Sequence, residues 1–151
     1  MDRTETFVQT LRRAGLRLTP QRLAICRLLA TTDRHPTAQM IYDELHPEYP
    51  SLSLATVYNT LDVLVQLNMI HVLGSAGDDA EHYDGNTDPH INLACVSCHR
   101  VIDLESPHVE TLEQEVAANS GYHLLGARCM YYGLCPQCQQ QTQPPAGPAA
   151  L

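Results

Sequence analysis

The sequence predicts an α+β chain: an N-terminal winged helix-turn-helix domain followed by a small C-terminal α/β domain with a structural zinc. Three observations lead there. Four helical patterns, three of them opened by a hydroxyl cap, are followed by two β-prone runs around a Gly-rich tip. Two Cys-x-x-Cys pairs, Cys95/Cys98 and Cys135/Cys138, stand thirty-six residues apart. The net charge of −8 is unevenly spread: residues 1–34 carry seven Arg against three acids, whereas residues 74–151 carry two Arg against ten. A locally basic segment beside an acidic half fits a DNA-reading module joined to a metal-loaded one.

Each element has a local reason. Thr4 to Ala14 reads as a helix with Phe7, Val8 and Leu11 on one face and Gly15 ending it. Thr19-Pro20 combines a hydroxyl cap with a proline whose missing N–H costs nothing at the first helical position, and Leu23, Ile25, Leu28 and Leu29 carry that helix to about Ala30. Thr37 caps a third, short helix that buries Met40, Ile41 and Leu45 and stops at Pro47. Ser53 caps a fourth, Leu54 to Gln66, with Val57, Leu61, Leu64 and Val65 inward; Thr56, Tyr58 and Asn59 near its first turn then face away from the core. Met69–Leu73 and Glu81–Tyr83 are strands, and residues 74–79 are the hairpin tip. In such an architecture the last helix enters the major groove.

Beyond that point Ile91–Ala94 and Arg100–Leu104 form a hairpin around the first Cys pair. Ser106-Pro107 opens a helix with Val109, Leu112 and Val116 at helical spacing. A last strand region, Tyr122–Leu125 and Arg128–Tyr132, interrupted at Gly126, delivers Cys135 and Cys138. The expected domains are 1–83 (DNA binding), 84–89 (hinge), 90–138 (zinc) and a disordered tail, 139–151, rich in Gln, Pro and Ala.

The doubled Cys-x-x-Cys spacing matches four-thiolate zinc sites, in which tight turns aim the sulfurs at one tetrahedral ion; redox pairs and disulfides are the weaker reading. A small domain also needs such a staple, because it cannot bury enough apolar surface. No apolar run reaches membrane-spanning length and no signal peptide is evident, so a cytoplasmic protein with reduced thiols is expected.

Taken in order, Leu18-Thr-Pro-Gln-Arg22, His35-Pro-Thr-Ala38, the run from Ser53 to Asn59, Asp84, His90, Cys95-x-x-Cys98, Asp103, Tyr132-Gly133 and Cys135-x-x-Cys138 resemble the ferric uptake regulator family, and its peroxide-responsive repressor branch most. The resemblance spans about residues 4–138. It implies a homodimeric, metal-dependent repressor whose N-terminal domain reads double-stranded operator DNA and whose C-terminal domain dimerises. Carried over by position, it implies a regulatory Fe(2+) or Mn(2+) held by His35, Asp84, His90 and Asp103, with position 92 as a fifth ligand. It also implies that His35 and His90 are the histidines oxidised by peroxide at bound iron. This sequence departs from the branch by carrying Asn92 where His is usual. An amide oxygen is a harder, weaker donor, which favours manganese. His82, two residues before Asp84 and so on one strand face with it, is a candidate for the missing nitrogen. On DNA, Ser53, Thr56, Tyr58 and Asn59 are candidates for base edges and Arg17 and Arg22 for phosphates.

Two other readings compete. A manganese-, iron- or zinc-uptake regulator of the same family is the nearer one. The distant one is a zinc-dependent deaminase-like enzyme, suggested by His108-x-Glu110 and Cys135-x-x-Cys138, although Leu134 replaces the expected Pro and Cys95/Cys98 stay unexplained.

Overall fold

The structure is a computed structural model describing residues 2–141. The protein is α+β and divides into two compact units: Met1–Ser75 with Ala80–Asp88, and Ala76–Asp79 with the chain from Pro89 on.

The first unit holds helices α1 (Arg3–Arg13), α2 (Pro20–Thr31), α3 (Ala38–Leu45) and α4 (Leu54–Gln66), then strands β1 (His71–Gly74) and β2 (His82–Asp84). Three helix starts are capped as their residue types require: Thr19, Thr37 and Ser53 accept from the amides of Arg22, Met40 and Thr56 at 3.2, 3.1 and 3.1 Å, each contact supplying about 1 kcal/mol. Gly15 takes a left-handed φ of 75° just beyond α1. The helices close over a core of Phe7, Leu11, Ile25, Leu29, Ile41, Val57, Leu61, Leu64 and Ile70. Met40 is a correction: it is exposed, because Ala38, Ile41 and Leu45 occupy the core side of this short helix and Met40 lies off that stripe. The first strand also starts later than expected, at His71. Met69 still donates to the Leu64 carbonyl as part of the end of α4, and Asn68 takes a left-handed φ of 55°.

The second unit holds a three-stranded sheet in the order β4-β3-β5, with β3 (Ile91–Cys95) antiparallel to β4 (Val101–Leu104) and parallel to β5 (Cys129–Gly133). A parallel pair needs a crossover, which α5 (Pro107–Ser120) provides. Gly121, at φ 72°, is its left-handed C-cap. Tyr122–Leu125 is not a strand, contrary to expectation: ladder pairing begins at Cys129 opposite Ile91, and among the described residues no strand pairs with the segment before it. A short helix, α6 (Pro136–Gln141), follows. The expected tail is therefore corrected at its start, since Gln139–Gln141 complete α6 and Gln139 Nε2 donates to the Leu134 carbonyl at 2.8 Å; residues 142–151 lie outside the described residues. The hairpin tip between β1 and β2 belongs to this unit, where Ala76 is buried and its carbonyl accepts from His99 Nδ1 at 3.0 Å. Gly77 lies so close to Val96 that an added Cβ would meet its carbonyl oxygen at 3.0 Å.

Candidate metal centres and nucleic-acid surface

Topology explains the thiolate cluster. Cys95 ends β3 opposite Gly133 of the parallel β5, Cys98 lies in the turn from β3 to β4, and the chain leaving β5 supplies Cys135 and then Cys138 on α6. The four sulfurs lie within 4.8 Å of one another, and Cys98 Sγ and Cys135 Sγ are 3.9 Å apart. A tetrahedron with Zn–S bonds of about 2.3 Å has S···S edges of about 3.8 Å, so the donors fit zinc. The amide of Cys135 donates to Cys95 Sγ at 3.3 Å. Burial raises the Cys95 thiol, but backbone N–H donors from Cys135, Cys98 and Ser97 outweigh it and hold the group down at about 6. Cys135 is lowered by hydrogen bonds from Cys138. Ser97 draws Cys138 down, but Cys135, burial and the other sulfurs push it up to about 12. Such crowding resists a fourth negative charge unless a cation is shared. His108 and Glu110, both exposed in the first turn of α5, stand outside this cluster, which leaves the deaminase-like pattern without its geometry.

The oxygen and nitrogen donors form two groups, one in each unit. In the first, His35 Nε2 is 3.5 Å from Asp84 Oδ1, both side chains nearly fully buried. Asp84 Oδ1 also accepts from the Asn86 amide at 2.8 Å, a turn that fixes the carboxylate just after β2. In the second unit, Asn92 and Asp103 are cross-strand partners on β3 and β4. His90 Nε2 lies 3.2 Å from both Asn92 Oδ1 and Asp103 Oδ1. Cis ligands on an octahedral ion with bonds of about 2.1 Å lie about 3 Å apart, so each group has the spacing of neighbouring ligands to a hard divalent ion. His82 is buried, and its Nδ1 lies 2.7 Å from the His35 carbonyl oxygen.

On α4, Tyr58 and Asn59 are exposed and Thr56 half-buried. Ser53 Oγ is engaged with the Thr56 amide and, at 2.9 Å, with its hydroxyl, so its first task is capping. Arg17 is exposed, while Arg22 is half-buried and sends Nη1 to the Arg17 carbonyl at 2.8 Å. Sequence reasoning missed Gln21, whose Nε2 donates to Ser51 Oγ at 2.9 Å and ties α2 to the approach of α4; no local pattern announces such a contact thirty residues away.

A winged-helix unit followed by an α+β unit with a four-thiolate cluster, each of the two contributing a histidine and a carboxylate at ligand spacing, defines a class of metal-binding proteins. The chain belongs to the ferric uptake regulator family, whose sequence model matches residues 13–132. The peroxide-responsive repressor PerR of Staphylococcus aureus strain Mu50 is 35% identical over 137 residues, 91% of this chain and 92% of that protein. PerR from Streptococcus pyogenes, solved as a structural basis for peroxide sensing and gene regulation, is 34% identical, with a TM-score of 0.54 over 92% of this chain and 95% of that one. The Helicobacter pylori ferric uptake regulator Fur, described with three functional metal-binding sites, shares the fold at a TM-score of 0.74, 21% identity and coverage of 90% and 93%.

Proposed function

We propose that the protein is a metal-dependent, homodimeric transcriptional repressor that binds operator DNA in the cytoplasm and senses peroxide. The observation that carries this is the contrast between two donor chemistries in one chain. Cys95, Cys98, Cys135 and Cys138 would hold a structural Zn(2+). His35, Asp84, His90, Asn92 and Asp103, all nitrogen or oxygen donors, would hold a regulatory Fe(2+) or Mn(2+). Because these five are divided between the units, an ion taking all of them would couple the DNA-reading unit to the dimerising one. Its differential affinity for the DNA-binding arrangement is then the switch, typically about 1–3 kcal/mol.

Iron, when bound, supplies the redox chemistry that peroxide needs. His35 and His90 are the imidazoles that suffer it, and oxidation of either ring removes a nitrogen donor from its group. Near DNA, Asn59 suits a bidentate contact to adenine and Thr56 a thymine methyl, with Ser53 and Tyr58 beside them and Arg17 and Arg22 toward phosphates. A homodimer is supported by exposed apolar side chains in the second unit, among them Leu112, Val116, Tyr122 and Leu125.

Uptake regulation is the second reading, and Asn92 favours its manganese form. A zinc sensor would want another thiolate, yet burial pushes the Cys26 thiol up to about 11 and makes it a poor ligand. Zinc-loaded protein charged with iron or manganese separately, and assayed for operator binding before and after peroxide, tests the choice. The iron form is expected to lose the operator, with oxygen added at His35 or His90, while the manganese form keeps it. Iron-loaded protein that keeps both histidines intact and its DNA bound rules out peroxide sensing and leaves uptake regulation.

A further inference from the structure

His82 is a titratable group with no part in the proposed function, although it is only 2% exposed and sits beside a proposed ligand. Its neighbour in space, His35, has an unusual backbone: φ is 48°, a left-handed value that non-glycine residues rarely adopt, immediately before Pro36. Such a conformation persists only when the surroundings impose it. Here β2 does so with three contacts in a row. His82 Nδ1 meets the His35 carbonyl at 2.7 Å, the Tyr83 amide donates to the Pro36 carbonyl at 3.0 Å, and Thr37 forms an antiparallel bridge with His82. Asp84, at the end of the same strand, then presents Oδ1 at 3.5 Å from His35 Nε2.

We propose that His82 is a positioning residue for the regulatory metal, holding His35 in its ligand-ready backbone conformation through a ring N–H on the His35 carbonyl. The inference rests on His35 being a metal ligand, as proposed above, and it replaces the sequence-based idea that His82 is itself the missing nitrogen donor. A carbonyl only accepts, so Nδ1 carries the proton and the ring is held by that bond. The strand thus carries a ligand, Asp84, and, two residues earlier, the group that sets the other ligand of its pair.

The test uses full-length, zinc-loaded protein and Mn(2+) alone as the probe, in four forms: parent, His82→Leu, His82→Asn and His35→Ala. Asn places an amide N–H where Nδ1–H stood but has nothing in place of the rest of the ring. His82→Leu is expected to bind Mn(2+) about 10–100-fold more weakly, the range for lost partners of metal ligands, with zinc content unchanged. It is also expected to speed exchange of the Tyr83 amide. His82→Asn is expected to restore both properties toward the parent. Asn as weak as Leu for Mn(2+) overturns the proposal in favour of a ligating ring. Unchanged Mn(2+) affinity in His82→Leu alongside a loss in His35→Ala also overturns it. Unchanged affinity in both variants means that His35 is not a ligand, so the failure lies in the functional reading itself. Nitrogen NMR of the parent needs no variant: a protonated Nδ1 on His82 is expected, and a bare Nδ1 refutes the bond.

Discussion

The two units solve the problem of stability differently. Phe7, Leu11, Ile25, Leu29, Ile41, Leu61 and Leu64 of the first are shut away from water, and among the largest fully buried side chains of the described residues only Val101 belongs to the second. In the second unit α5 buries no residue, and Leu125 is 93% exposed. A helical unit with a continuous apolar core can hold its shape through burial. A three-stranded sheet with one uncovered helix has less to bury, and on the proposed reading a structural zinc and the surface of a second copy would supply the rest.

The largest expected effect follows directly. Stripping zinc, or substituting Cys98→Ala, should unfold the second unit while leaving the first folded, since structural zinc contributes on the order of 10–16 kcal/mol in comparable sites. Amide exchange resolves the two: protection should vanish along β3 and β5 and persist at Ile25 and Leu61. Uniform loss in both units would break the contrast. Thiol alkylation sharpens it, because removal of zinc should expose four additional reactive cysteines while Cys26 stays protected by burial.

Next in size is the covering surface. Leu112→Glu together with Val116→Glu places charge on exposed apolar positions of α5 and should shift the protein toward monomer, by at least about 2 kcal/mol if these side chains anchor the interface. Sedimentation at several concentrations reads this directly. A parent that sediments as a monomer would leave the apolar face of α5 unexplained and remove homodimerisation from the proposal.

The first unit has its own sensitive point. An added Cβ at Gly85 would meet the Leu29 carbonyl oxygen at 2.7 Å, and backbone cannot swing aside as a flexible side chain can. Gly85→Ala should therefore cost about 1–3 kcal/mol, the usual range for overpacking, seen as a lower melting temperature of the first unit. Zinc content should stay the same. Equal destabilisation of the second unit would mean the two do not keep separate accounts.

What the sequence reveals follows the same division. Local chemistry is legible: Thr19, Thr37, Ser53 and Ser106 mark helix starts because a cap is decided by a few neighbouring atoms. The thiolate set is legible because two Cys-x-x-Cys turns encode it. Contacts set by pairing at a distance are not. Tyr122–Leu125 looks like a strand by composition but has no ladder partner among the described residues. Met40 looks buried until the direction of the short α3 helix is known. His82 shares a strand face with Asp84, which suggests a ligand; the carbonyl it meets is forty-seven residues earlier, beyond any periodicity.

The smallest effect expected concerns the residue that departs from its branch. Asn92 Oδ1 already lies 3.2 Å from His90 Nε2, and Asn92 is a cross-strand partner of Asp103, so a donor at this position belongs with the other two. Replacing a neutral amide oxygen by an imidazole nitrogen should strengthen Fe(2+) more than Mn(2+), because nitrogen donors favour the later metals of the divalent series. Asn92→His should therefore raise the preference for Fe(2+) over Mn(2+) by about tenfold, roughly 1.4 kcal/mol, and hasten peroxide-driven release of the operator. Competition between the two metals at fixed zinc content measures it. An unchanged preference would mean that Asn92 does not enter the coordination of the proposed regulatory metal and acts at most on His90 through their contact.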